Sequence, residues 1–343
     1  MKRKTKHRFL ALLFSILALG LFLLYEILWA PNTFEGDRFI IVSKGESFQD
    51  VLDSLEKVEV VRSRTFISLA GRMLELTTKM QIGKYRFKSG MSNKEILEDL
   101  RYGNTIEAIT VTLPEGYRAS RQAQILKRQL GIDSVRYMQV VTDSVFCRSV
   151  GVNAPTLEGY LMPNTYKLYW QEDEKDIIKM LVEEFWNVVN DSLETLARSQ
   201  GYTLNEVLTI ASIVEGETKI DSERAIVAGV YYNRLNKRML LQADPTVQFI
   251  LEDGPRRLHY SDLQRESAYN TYIHKGLPPG PIGNPGKASI LAALSPRKHK
   301  YFFFVATGQG GHSFTTTFKQ HRKAVQHFQE FREKQETMKD GQG

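Results

Sequence analysis

Cysteine is all but missing from this 343-residue chain, with Cys147 standing alone. A single thiol excludes an intramolecular disulfide and a cysteine-based metal centre, and it reads first as a small core residue. The histidines are few, and His259, His274, His299, His312 and His321 are scattered with no HExxH pair, so neither a metal set nor a cofactor is expected. A GxSxG elbow and a Walker loop are also absent. The folded part lacks a basic run. The formal net charge is +7, but Lys2, Arg3, Lys4, Lys6 and Arg8 supply five positive charges ahead of the first apolar stretch, and the rest is near balance. No nucleic-acid partner is therefore expected.

One long apolar run is present. Residues 9–30 read FLALLFSILALGLFLLYEILWA, interrupted by a charge only at Glu26. A helix needs about 20 apolar residues to cross the hydrocarbon core, and the basic residues before it would keep residues 1–8 in the cytoplasm. A cleaved signal peptide would have a shorter apolar region and a small-x-small site. Leu28-Trp29-Ala30-Pro31 offers a poor one, and Tyr25 and Trp29 suit a membrane interface. The expectation is an uncleaved, single-pass inner-membrane anchor over 9–30, with the remainder of the chain periplasmic.

With 42% hydrophobic and 25% charged residues, the remainder should fold into two or three domains. After a linker over 32–37, a strand–turn–helix pattern recurs. Strand 38–42 leads to a helix opened by Ser47, strand 84–87 to a helix opened by Ser92, and strand 109–113 through Pro114-Glu115-Gly116 to a helix over 119–130. This predicts a small α+β module over 37–117, then a second α+β domain over 118–328 and a charged tail, 329–343, that frays. One long amphipathic helix is expected over 174–198, from Ile177, Ile178, Leu181, Phe185, Val188, Val189 and Leu193 in phase.

Thr203-Leu-Asn-Glu206 is a capping-box signature ahead of an apolar helix. Leu204, Val207, Leu208, Ala211 and Val214 share one side, and Glu215 follows Leu208 by seven positions and Ala211 by four, so it projects among them. A carboxyl held against apolar groups loses hydration of its charged form, and its pKa should rise to suit a general acid. Gly216 beside it would leave the backbone open to a bulky substrate. The bland alternative is that Glu215 pairs with Arg224 or Lys219, and Glu217 is also within reach. Downstream, Gly276-Leu-Pro-Pro-Gly-Pro-Ile-Gly-Asn-Pro-Gly286 is a stiff loop suited either to a tight connection or to a cleft wall. Aromatic and amide side chains, Tyr166, Tyr231, Tyr269, Tyr272, Gln242 and Asn284, suit a sugar polymer.

The stretches LEGYLMPNTY, ASIVEGET, LQADPTVQF, YNTYIHKGLPPGPIGNPG and YFFFVATGQGGHSFTTTFKQH together resemble the endolytic murein transglycosylases, the MltG or YceG-like family, over about 39–325. The resemblance implies one amino-terminal membrane helix, a LysM-like module over 37–117 and a transglycosylase domain. It implies a lyase that cuts the MurNAc–GlcNAc bond of nascent peptidoglycan to 1,6-anhydro ends without a cofactor, with Glu215 as the single catalytic carboxylate. Gln242, Asn284, His312 and Tyr166 are candidates for substrate binding. Glycan strands, the membrane and the peptidoglycan synthesis machinery are the implied partners. The chain departs from the family pattern at Gly216, where Lys is frequent, at Asn164, where Asp is frequent, and at Thr315, where Ser is common. A non-catalytic peptidoglycan binder, or a hydrolase or small-molecule lyase, remains as an alternative.

Overall fold

The computed structural model describes residues 2–251 and 254–340. The chain forms two compact units. The first holds residues up to Val111 with Arg128–Ile132 and Lys167–Asp173, and the second holds Thr112–Lys127, Asp133–Tyr166 and the chain from Glu174 onward.

The first unit begins with α1 (Lys2–Leu28), which over residues 6–28 is long and apolar enough to cross a membrane. Its last turn does not dangle. Ile27 and Leu28 are buried in the core of the unit, and Asn93 Nδ2 donates to the Ile27 carbonyl at 2.9 Å. Asn32 is buried as well. Its Nδ2 donates to the Met91 carbonyl (3.0 Å) and to Asn93 Oδ1 (3.1 Å), while its Oδ1 accepts from the Arg62 amide at 2.9 Å. The expected linker over 32–37 therefore starts as a fixed joint, because a buried amide must find internal partners.

Strands β1 (Arg38–Val42), β2 (Gly83–Phe87) and β3 (Ile106–Glu107) make an antiparallel sheet in that order, with Arg38 opposite Phe87 and Val42 opposite Gly83. Alternation turns Ile40, Val42, Tyr85 and Phe87 inward. Helices α2 (Phe48–Lys57), α3 (Arg64–Met73) and α4 (Asn93–Tyr102) cover this face with Val51, Leu52, Leu55, Ile67, Ile96, Leu97 and Leu100. Reciprocal capping boxes, Ser47 with Asp50 and Ser92 with Glu95, start α2 and α4. The pattern reading missed α3, although Ser63, which accepts from the Phe66 amide, is an ordinary cap signal.

Strand β4 (Ile109–Thr112) pairs with β5 (Thr165–Leu168). Between them in sequence lie α5 (Ala119–Leu130), α6 (Ser134–Val141) and α7 (Ser144–Ser149). After β5 the expected single helix over 174–198 is two, α8 (Glu174–Val188) and α9 (Asp191–Ser199). The apolar phase runs on, but Asn190 turns its side chain to accept from the Leu193 amide and starts a new helix.

Helices α10 (Leu204–Glu217), α11 (Asp221–Asn236) and α13 (Lys287–Leu294) pack against one another, and α12 (Asp244–Ile250) packs on α10. Ten consecutive positions of α10 from Val207 onward include nine buried residues, Val207 to Glu215, so this helix is enclosed on all sides rather than apolar on one. The hairpin β6 (Phe303–Ala306) and β7 (His312–Thr315) packs on α14 (Phe318–Asp340). The tail expected to fray from 329 continues this helix through Asp340, and 341–343 lie outside the described residues.

Candidate active site

Glu215 sits in the last turn of α10, where unpaired carbonyls concentrate negative charge and a carboxylate is disfavoured. Its surroundings reverse that. The side chain is 1% exposed, and its two oxygens meet four donors. Ser289 Oγ donates to Oε2 at 2.9 Å, the Gly286 amide to Oε2 at 3.2 Å, Arg224 Nη1 reaches Oε2 at 3.1 Å, and Lys219 Nζ reaches Oε1 at 3.2 Å. Gly286 and Ser289 belong to the amino end of α13, whose positive dipole end favours an anion. Arg224, itself buried, is held by Asp221 at 3.0 Å and by Ser289 Oγ at 2.6 Å.

The electrostatic outcome corrects the expectation from the sequence. Burial alone would push the Glu215 pKa up, but Ser289, Arg224, Lys219 and the Gly286 amide together outweigh it and hold the carboxyl below its ordinary value. The cations and the terminus of α13 decide the sign. The pairing with Arg224 or Lys219 raised as the bland alternative is present with both. Gly216 is exposed, although α12 packs closely on one side of it. A β-carbon there would lie 2.6 Å from Pro245 Cβ, so the direction that a side chain would take is filled by α12.

Glu115 also belongs to this site, and the sequence reading treated it only as part of a turn. Gly116 takes a left-handed φ of 78° and its amide donates to the Asn284 carbonyl at 2.8 Å, while the Asn284 amide donates to the Tyr117 carbonyl at 3.0 Å. This reciprocal pair pins the loop after β4 to the end of the Gly/Pro loop. A β-carbon on Gly116 would lie 3.2 Å from Glu215 Cγ, and one on Gly286 would lie 1.9 Å from Glu115 Oε1. Only glycine at 286 allows the Glu115 carboxylate against that backbone. Partial burial, followed by the charge of Glu215, raises the Glu115 pKa, against the pull of Arg224 and Lys219.

Asn284 is fully buried, and its amide is spent within the protein. Oδ1 accepts from the Gly159 (2.8 Å) and Leu161 (3.1 Å) amides, and Nδ2 donates to the Tyr117 carbonyl (2.9 Å) and to Glu158 Oε1 (3.1 Å). Four bonds are the full capacity of an amide side chain. Glu158 also accepts from the Ala119 amide at 3.0 Å, and burial pushes its carboxyl up to about 7. Tyr166 is buried too, with its hydroxyl on the Met162 carbonyl at 2.6 Å. Of these residues, Asn284 ties the Gly/Pro loop to the chain at Tyr117 and at 159–161.

Gln242 lies elsewhere, in a cavity of about 370 Å³ that it lines with Glu217, Tyr231, Arg234, Asp244, Tyr272 and His321. Glu217 accepts from the Tyr231 hydroxyl at 2.6 Å, and burial pushes its carboxyl up to about 7. The two glutamates of one short stretch therefore face different surroundings. His312, on β7, is tied to Glu223 through Nδ1 at 2.7 Å and its backbone amide at 2.8 Å.

The model of the YceG-like family matches residues 40–327. The chain belongs to that family. Among family relatives, the endolytic murein transglycosylase of Bacillus subtilis is 30% identical over 308 residues, covering 84% of each chain. The endolytic murein transglycosylase of Streptococcus pneumoniae is 28% identical over 298 residues, 77% of this chain but only 53% of that longer protein. A crystal structure of a YceG-like protein from Listeria monocytogenes matches with a TM-score of 0.60 and 29% identity, over 84% of this chain and 99% of that one.

Proposed function

We propose that this chain is an endolytic lytic transglycosylase that cuts the MurNAc–GlcNAc bond of nascent peptidoglycan and leaves 1,6-anhydro ends. The family relatives carry the reaction class. The observation that supports Glu215 as the catalytic carboxylate is its clamp: four donors from three elements converge on one sealed side chain in the family's EGET stretch.

That arrangement supports the following chemistry. The muramyl 6-hydroxyl attacks its own anomeric carbon as the glycosidic oxygen leaves, so no water is consumed. Glu215 gives a proton to the departing glycosidic oxygen and then, as the carboxylate that its clamp favours, takes the proton of the attacking 6-hydroxyl and faces the positive charge that develops at the anomeric carbon. Gln242, Asn284, His312 and Tyr166 are proposed around the bound glycan. Asn284 and Tyr166 act by fixing loops, and Gln242 offers its side chain to the cavity. We read the first unit as the LysM-like module, a reading supported by antiparallel β1 and β2 joined through two helices. Helix α1 anchors the chain in the inner membrane with its amino end cytoplasmic and the catalytic domain periplasmic. There it would terminate elongating strands beside the synthases.

The test is mass spectrometry of peptidoglycan treated with the purified protein and its Glu215→Gln variant. Anhydro-muramyl ends from the parent, reduced about 100-fold or more in the variant, are expected. Reducing ends without anhydro sugars would mean a hydrolase. Glycan bound but left intact by both proteins would mean a binding module.

A further inference from the structure

The end of α1 is claimed by two surroundings. A helix crosses the hydrocarbon core in about 20 residues, and a count of that length from Phe9 ends at Leu28. Ile27 and Leu28, however, already lie in the core of the first unit, and Leu24, a turn earlier, packs against it. Hydrocarbon and folded core therefore meet without a spacer. The surface of the unit that surrounds this turn stands at the depth of the lipid headgroups.

The bonds at the joint identify that surface. Asn93 Nδ2 holds the Ile27 carbonyl, and Arg62 Nη2 reaches Glu26 Oε2 at 3.1 Å. The Gly90 amide donates to the Asn32 carbonyl at 2.7 Å, and the Phe34 amide to Ser89 Oγ at 3.0 Å. The turn between α2 and α3 and the turn between β2 and α4 thus form a collar around the end of the helix. Tyr25 and Trp29, exposed beside it, are the amphipathic rings that settle at a membrane–water interface. Arg62 covers Glu26, the one acid of the apolar run, so the charge nearest the hydrocarbon is paired. The other exposed charges around the collar have both signs, Lys57 and Lys88 against Glu35 and Glu59. None of these four makes an ion pair among the described residues. Glu56 and Glu95 are engaged, by Arg64 and by the Ser92 cap.

We propose that this collar is a second membrane contact of the first unit, resting among lipid headgroups that carry a phosphate and an ammonium together. This rests on the reading of α1 as a membrane span. Phosphate oxygens take the ammonium groups of Lys57 and Lys88, headgroup ammonium takes Glu35 and Glu59, and Tyr25 and Trp29 lie at the boundary with the acyl chains. Charges that nearly balance fit a zwitterionic surface, whereas a contact built for anionic lipid carries an excess of cations. Two exposed positions of the same unit lie away from the collar. Lys44 follows the end of the β1–β2 ladder opposite to Phe87 and Lys88, and Tyr102 ends α4, a helix length from Asn93.

The test uses the full-length protein, with its buried thiol removed by Cys147→Ala, in phosphatidylcholine vesicles. A fluorescent label is placed on one new cysteine at a time, made by Lys57→Cys, Lys88→Cys, Lys44→Cys, Tyr102→Cys or Ile16→Cys. Lipid bearing a nitroxide on its headgroup should quench the labels at 57 and 88 about threefold or more beyond those at 44 and 102. Added salt or phosphatidylglycerol should leave that ratio unchanged. Either collar position carries the test should the other variant not fold. Equal quenching at all four positions would overturn the proposal. Quenching at 57 and 88 that appears only with phosphatidylglycerol would also overturn it, by making the partner an anionic surface. A nitroxide midway along the acyl chain should quench the label at 16, a position exposed along α1. Failure there would instead overturn the reading of α1 on which the proposal rests.

Discussion

Arg224 carries more of the site than its position in the sequence suggests. It is buried beside a buried carboxylate, so removing it leaves Glu215 with an uncompensated charge. Breaking one partner of such a pair costs roughly 3–5 kcal/mol. Arg224→Met is expected to destabilise the protein by about that much, while the double variant Arg224→Met with Glu215→Gln should recover part of the loss. A double-mutant cycle by chemical denaturation measures this, and simple additivity would show that the pair is not coupled. The acids also give stability a pH dependence with two signs. Glu215 is depressed, so its contribution is present above an ordinary carboxyl value of 4.5 and fades as the pH falls below it. Glu217 is raised to about 7, so its contribution is present below 4.5 and lost as the pH climbs through about 7. Glu217→Gln should therefore flatten the decline in melting temperature between about pH 5 and 8. An unaltered slope would mean that Glu217 titrates normally. At this scale the sequence was legible for Glu215 itself, because helical phase and a short motif both point to it. It was legible in part for Arg224, raised as a pairing partner, and not for Glu115 or Ser289, which reach the site from other places in the chain and show no local pattern.

Elements were more readable than contacts. The capping box Thr203–Glu206 is in place, with Thr203 Oγ1 taking the Glu206 amide and Glu206 reaching back to the Thr203 amide at 2.8 Å. Thr203→Ala should cost about 1 kcal/mol, read from urea denaturation. A cost near zero would mean that packing alone fixes the start of α10. The strands β1, β2 and β4 and helices α2, α4 and α5 fall where turn chemistry and alternation put them. The failures share a cause. Apolar phase continues across Val189 although Asn190 starts a new helix, and α3 was overlooked although Ser63 caps it. In both places a polar side chain bonded to the backbone overrules, or supplies, what hydrophobic spacing alone conveys. The enclosure of α10 on every side is a tertiary fact, since α11, α12 and α13 cover faces that sequence phase left open.

For the molecule as a whole, the division into two units leaves the proposed chemistry entirely within the second. The first unit has its own core, to which the end of α1 contributes. A chain beginning at residue 24 keeps Ile27 and Leu28, and one beginning at residue 32 loses them. Each buried aliphatic side chain is worth about 1.5–3 kcal/mol. The shorter protein should thus melt earlier in its first unit, while the longer one should match the parent. Equal melting would mean that the last turn of α1 adds nothing to that core.

The joint at Asn32 has a mechanical consequence. Glu26 reaches Arg62 at 3.1 Å, Ile27 and Leu28 are packed, and Asn32 is bonded on three sides, so helix and first unit form one stiff body. Residues 9–26, the apolar stretch that lies outside the core of that unit, measure about 27 Å as a helix, close to a hydrocarbon thickness of about 30 Å. With no slack between the helix and the first unit, any tilt that the helix took in a bilayer would be carried undiminished into that unit.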